Sequence, residues 1–177
     1  NGFGQAALGT AGREGAVGVI HLLLEKGASI EHRDKYGSTA LSEGFRIGGF
    51  EKCKEATHML LKKGANISTK EDDGWTITHA SADGLSTSCG RIDTIEMALL
   101  CGAEPDIADV DGSTPLSYAI EDKNLDMTIL LLSWGARLEA SRTDGITPTK
   151  LAHLSRNPRI QQLLQQEFFQ RSCDAIW

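Results

Sequence analysis

No stretch of this chain approaches the ~20 consecutive apolar residues that a membrane-spanning helix needs, and no basic, apolar leader opens the sequence as given. Neither a membrane partner nor secretion is expected. The four cysteines, Cys53, Cys89, Cys101 and Cys173, show no Cys-x-x-Cys spacing, and the five histidines are scattered. A structural zinc site is therefore not expected, and free thiols in a reducing compartment are. A net charge of −6 leaves no basic stripe for nucleic acid. Gly-x-Ser-x-Gly, His-Glu-x-x-His and a phosphate loop ending in Gly-Lys-Ser/Thr are all missing, so no catalytic constellation and no cofactor are expected. "GFGQAA" at 2 lacks the strand that a dinucleotide fingerprint requires before it. The sequon Asn66-Ile67-Ser68 stands alone and is read as fortuitous.

What the chain does have is glycine, 19 residues of it, in a fixed register. "DGSTPL" at 111 recurs as "YGSTAL" at 36, "DGWTIT" at 73 and "DGITPT" at 144, with a fainter copy, "FGQAAL", at 3. The glycines of these motifs are Gly4, Gly37, Gly74, Gly112 and Gly145, at steps of 33, 37, 38 and 33 residues. A Gly-Ala pair stands at Gly27, Gly64, Gly102 and Gly135, always 10 residues before the next motif glycine. A constant link with variable length elsewhere is the mark of a structural repeat.

Each unit reads as turn, short helix, turn, longer helix and link. In the fourth, Asp111-Gly112 makes the turn, Thr114 is placed to cap and Pro115 suits the first helical position. Leu116, Ala119 and Ile120 then recur at helical spacing. The second helix carries Met127, Ile129, Leu130, Leu131 and Leu132 and ends at Gly135, a residue suited to the left-handed position. One such helix pair cannot bury both apolar faces; stacked neighbours can.

Turn, Thr-Pro-Leu and Leu-Leu-Leu-x-x-Gly-Ala in a unit of about 33 residues resemble the ankyrin repeat. The resemblance runs over nearly the whole chain. It implies an all-α repeat solenoid of L-shaped helix pairs with projecting β-hairpin finger loops. The expected organisation is one domain, residues 1–177, with repeats near 2–35, 36–72, 73–110, 111–143 and 144–170 and a C-terminal capping helix and tail to 177. The sequence departs from the family pattern at the His after Thr-Pro-Leu, kept only as His79, and at the finger Asn, replaced by Glu31, Ser68, Asp106 and Glu139. The chain opens at Asn1 without Met and enters a repeat almost at once, so it is expected to be a piece of a longer protein.

Repeats two and three carry four or five extra residues between their helices, in "GFRIGGFEKCKEA" and "ADGLSTSCGRID", expected to form loops or lengthened helix ends. "IQQLLQQEFFQRSCDAIW" places Ile160, Leu163, Leu164, Phe168 and Phe169 at helical spacing, as in a capping helix; Phe168, Phe169 and Trp177 are alternatively read as docking onto a neighbouring domain.

Residues flanking the turn glycine are exposed in the family that the repeats resemble. Tyr36 and Trp75 there are the aromatic anchor candidates, with Ile146 a weaker member of the row. Lys35, Asp72, Asp73, Asp109 and Asp111 complete the expected partner-binding set. The acids of the third finger, Glu104, Asp106, Asp109 and Asp111, do not make a calcium loop. With Gly112 at the glycine position, the first ligand would be Ile107 and the last Tyr118. They read instead as a negative patch toward a basic surface. The implied function is a non-catalytic protein-interaction module that binds a protein partner through its finger loops and the concave inner-helix surface, intracellular, cytoplasmic or nuclear. Its rival is a spacer or regulatory arm of a larger enzyme, receptor or channel that contacts its own parent chain.

Overall fold

The structure is a computed structural model that describes residues 2–47, 50–83 and 91–174. Among the described residues it holds ten helices and no strand. They are α1 (Gly2–Arg13), α2 (Val17–Glu25), α3 (Ala40–Ile47), α4 (Phe50–Lys62), α5 (Ile77–Ala82), α6 (Arg91–Leu100), α7 (Pro115–Glu121), α8 (Leu125–Ser133), α9 (Pro148–Leu154) and α10 (Pro158–Asp174). The chain divides into two compact units, Asn1–Ser81 with Leu85–Glu104 and Ala82–Gly84 with Pro105–Trp177. Among the described residues no helix is long and apolar enough to cross a membrane.

In the first unit α1 packs on α2 and α3, and α4 packs on α3 and α6. Leu8, Ile20, Leu41, Leu60 and Ile95 are fully buried between them, each contributing roughly 1.5–3 kcal/mol by leaving water. In the second unit α7 packs on α8 and α9, and α10 covers both α8 and α9. Its core is Leu116, Ile120, Met127, Leu131, Ile160 and Leu164.

The helix ends follow their local chemistry. Thr114 and Thr147 sit extended at the N-caps and accept from the N–H of Ser117 and Lys150, with Pro115 and Pro148 opening the helix behind them. Asn124 caps α8 by accepting from the N–H of Met127. All four Gly-Ala pairs close their helices identically. Ala28, Ala65, Ala103 and Ala136 donate to Leu23, Leu60, Ala98 and Leu131, while each preceding glycine donates three residues back at positive φ. That double bond is the Schellman ending, and it explains why Gly recurs there.

Two expectations change. The motif copy at Gly4 is not a turn: it lies within α1, because Gln5-Ala6-Ala7-Leu8 carries no turn-forming Asp or capping Thr to stop a helix. Ile129 faces solvent rather than the core, since one stripe of α8 is buried and Met127, Thr128, Leu131 and Leu132 fill it. Around the insertion of repeat two the second helix is lengthened, α4 having 13 residues where α2 and α8 have 9. The insertion of repeat three falls largely on residues 84–90, and Trp177 also lies outside the described residues. Phe168 and Phe169 on α10 are exposed.

Candidate interaction surface at the finger tips

Each finger ends in the same small device. In the first, the N–H of Asp34 donates to the carbonyl of Ser38 at 2.9 Å and the N–H of Gly37 to the carbonyl of Asp34 at 3.1 Å. This is a four-residue turn closed by a glycine in the left-handed region, φ +80°. The turns at Glu71–Trp75, Asp109–Ser113 and Arg142–Ile146 repeat both bonds. A carboxylate braces every tip. Asp34 Oδ1 accepts from the N–H of Tyr36 and Ser38, and Asp109 Oδ1 from those of Asp111 and Ser113. Where the first turn residue is not Asp, the third is: Asp73 accepts from Trp75 N–H and Asp144 from Ile146 N–H, both at 2.9 Å.

Within each unit, neighbouring fingers hold one another. Within the first unit Asp72 N–H donates to Tyr36 carbonyl, Ser38 Oγ to Glu71 Oε1 at 2.8 Å, and Arg33 Nη2 to Lys70 carbonyl and Asp72 Oδ1. Within the second, Thr143 N–H donates to Asp111 carbonyl and Arg142 Nη1 to Glu121 Oε1 at 2.7 Å. Desolvation pulls the Arg142 pKa down, but Glu121, with Asp144 and Tyr118 adding to it, outweighs that and raises the pKa from its ordinary value. The acids standing in place of the family's finger Asn acquire a use: Glu31 accepts from Asn66 N–H, and Asp106 from Arg137 N–H.

Tyr36 projects into solvent, 55% exposed, with the Lys35 ammonium 4.7 Å from the centre of its ring, a cation–π pair. Contact with Tyr36 raises the Lys35 pKa above its ordinary value, Asp34 adding to it and desolvation opposing. Asp72, Asp73 and Asp111 are exposed. Asp72 is paired with Arg33 at 3.3 Å.

Three expected site residues sit differently. Trp75 is half-buried and stacked on His79, centroids 6.3 Å apart and planes 21° apart. His79 is itself fully buried, its Nδ1 accepting from Thr76 N–H, so the proton lies on Nε2. Asp109 is only 9% exposed because Tyr118 Oη donates to its Oδ2 at 2.7 Å while its Oδ1 braces the turn. Ile146 is half-buried. The third-finger patch is thereby reduced, Asp106 being paired with Arg137 and Asp109 enclosed. One tip residue escaped the sequence reading: Val110, 64% exposed, occupies the second turn position that Lys35 holds in the first finger. Its register was legible in the sequence, two residues before the turn glycine.

Among the described residues, two cavities beside fingers stand out. One, about 220 Å³, lies between the first finger and α1 and α3, lined by Gly9, Thr10, Arg13 and Glu43 and by His32, Asp34, Lys35 and Ser38. The larger, about 430 Å³, lies in the second unit between Arg137–Ala140 and the end of α10, with Leu138 and Phe168 in its wall. Its charged rim is committed internally: Arg171 donates to the carbonyls of Ala136 and Leu132 and pairs with Glu167, and Arg137 pairs with Asp106. The smaller cavity adjoins the exposed Lys35–Tyr36 tip and is the better candidate for recognition.

The family model for ankyrin repeats, in three copies, matches residues 45–142. Over 162 residues, 92% of its length, the chain is 26% identical to human SH3 and multiple ankyrin repeat domains protein 2, of which it spans 8%. Over 103 residues, 55% of its length, it is 30% identical to an ankyrin repeat protein of Rickettsia felis, of which it spans 44%. The chain thus spans less than half the length of either relative.

Proposed function

From the premise that the chain belongs to the ankyrin repeat family, we propose that it is a non-catalytic interaction module, binding a protein partner through its first finger and the cavity beside it. Ankyrin repeats generally mediate protein–protein interaction. The observation that carries the finer reading is the exposed Lys35–Tyr36 tip, held rigid by the bonds of Asp34 beneath it and Asp72 beside it. A large ring on a braced backbone binds at low ordering cost. Asp73 and Asp111, also exposed, would draw basic groups of a partner and speed association more than they tighten it. The reading counts one repeat per helix pair, five in all. It places the module inside the cell, where a thiol such as exposed Cys101 stays reduced.

The test is a paired pull-down from lysate with the wild type and a Lys35→Ala/Tyr36→Ala double variant, after circular dichroism has shown equal helix content. Proteins held by the wild type and lost by the variant support the reading. Equal capture by both sinks the choice of surface.

A second reading, a spacer or regulatory arm contacting its own parent chain, draws on Val19 and Leu22, which stand exposed on α2. Absence of specific capture by either protein would favour it. The next measurement would then be made on the parent protein.

A further inference from the structure

The second helices of the repeats match position by position when counted back from the glycine that ends each. Val19 and Leu23 stand eight and four residues before Gly27, and Ala56 and Leu60 hold the same places before Gly64. Residues four apart share one helix face. In α4, which packs on both α2 and α6, Ala56 and Leu60 are each 1% exposed. In α2, which packs on α1 and α4, Val19 is 48% exposed and Leu23 half-buried, with Leu22 between them 54% exposed.

The last described helix shows which way this face looks. α10 packs on α8 and α9 and fully buries Ile160 and Leu164, 33 residues after Met127 and Leu131, which hold the same two places in α8. A second helix with a neighbour before it thus covers the face, and α2, whose second-helix neighbour comes after it, leaves the face open. The polar side of α2 lies elsewhere, where His21 and Glu25 pair at 3.5 Å. A solenoid's terminal element needs a polar outer surface. Where α8 buries Leu132, α10 carries an exposed Gln165; α2 makes no such exchange at Val19, Leu22 or Leu23.

We infer that this face of α2 is an interface between repeats, and that its occupant is a further ankyrin-type helix pair of the parent chain, its second helix taking beside α2 the place that α2 takes beside α4. The interface continues the stacking already present within the first unit. By the 10-residue spacing to Gly4, the Gly-Ala ending of that pair falls about seven residues ahead of Asn1. This gives the parent-chain contact drawn above from Val19 and Leu22 a definite occupant, and it stands or falls apart from the finger-tip reading.

The test compares the 177-residue protein with one extended by the ~40 residues that precede Asn1 in the parent chain, a little more than one repeat. Extension should raise Tm by about 5 °C or more and slow amide exchange across α2 about tenfold or more. Val19→Glu, at an exposed position, should move the Tm of the 177-residue protein by no more than about 2 °C. In the extended protein the same change buries a charge and should cancel the gain. Ile129→Glu, exposed on α8, should have the same effect in both proteins and controls for added charge. Equal melting and exchange with and without the added residues overturn the inference, as does a parent sequence with no helix pair in that register. Sedimentation of the 177-residue protein as a dimer that Val19→Glu dissolves also overturns it, the occupant then being a second copy. The pull-down with the Lys35→Ala/Tyr36→Ala variant is unaffected by any of these results.

Discussion

The N–H of Asp72 donates to the carbonyl of Tyr36 at 3.1 Å, so the second finger hangs on the residue that forms the tip of the first. Thr143 and Asp111 repeat the bond in the second unit at 2.9 Å. The approach is close enough that a Cβ on Gly37 would come within 2.9 Å of Asp72 N, and one on Gly112 within 3.0 Å of Arg142 Cα. These glycines answer two demands at once, a left-handed φ and a neighbouring backbone.

Gly37→Ala should accordingly cost more than Gly64→Ala. Gly64 has φ +92° but nothing within 4 Å of an added Cβ. The backbone strain alone is about 1 kcal/mol for Gly64→Ala, and the collision should bring Gly37→Ala to about 2–3 kcal/mol. Urea unfolding of the two variants reads the difference; equal losses would show that the finger contact is loose.

Inside helices the same logic gives opposite signs. A Cβ on Gly12 would run into the backbone carbonyl of Ala40, whereas one on Gly18 meets nothing within 4 Å. Gly18→Ala should stabilise by roughly 0.5–1 kcal/mol through helix propensity. Gly12→Ala should destabilise, by about 1–3 kcal/mol as overpacking does. Thermal melts of both, in the same buffer, check the pair.

The acids of the third finger should separate by role. Asp109→Ala leaves Tyr118 Oη and two turn N–H groups without their acceptor, a loss of roughly 3 kcal/mol. Asp111→Ala, on an exposed side chain, should stay within about 0.5 kcal/mol of the wild type. Should Asp109→Ala prove as stable as Asp111→Ala, the enclosed carboxylate is not holding the turn.

Aromatic truncation should divide binding from stability. Tyr36→Ala should leave the melting temperature unchanged and weaken partner binding by about 2 kcal/mol. Trp75→Ala removes a half-buried ring from His79 and should lower stability by about 1–2 kcal/mol. Calorimetry against any partner captured, with melts of both variants, tells the two apart; a Tyr36→Ala protein with full affinity would remove the first finger from the surface.

Much of the architecture was legible because it is decided within a few residues. A Schellman ending needs only a glycine after a helix, and a cap needs only Thr before Pro-Leu, so Gly27, Gly64, Gly102, Gly135, Thr114 and Thr147 announced their roles. Gly4 misled because a motif copy without its Asp and Thr retains nothing to oppose helix propensity. The exposure of a tip side chain is another matter. Asp72 meets Arg33 across 39 residues, and Ser38 meets Glu71 across 33. Whether Asp109 is a surface charge or a buried brace depends on where Tyr118 directs its hydroxyl.

The sequence by itself determined the repeat, its register, its helix ends and its family, since each rests on short-range backbone conformation and on periodic apolar burial. Only the tertiary structure decided which tip residues face outward. It turned Trp75 onto His79, enclosed Asp109, left Val110 bare and set Lys35 and Tyr36 beside a cavity walled by α1 and α3. The physical reason is that exposure depends on what packs alongside: a side chain four or nine residues on, as for Trp75 and Asp109, or a neighbouring finger more than thirty residues away, as for Asp72 and Ser38.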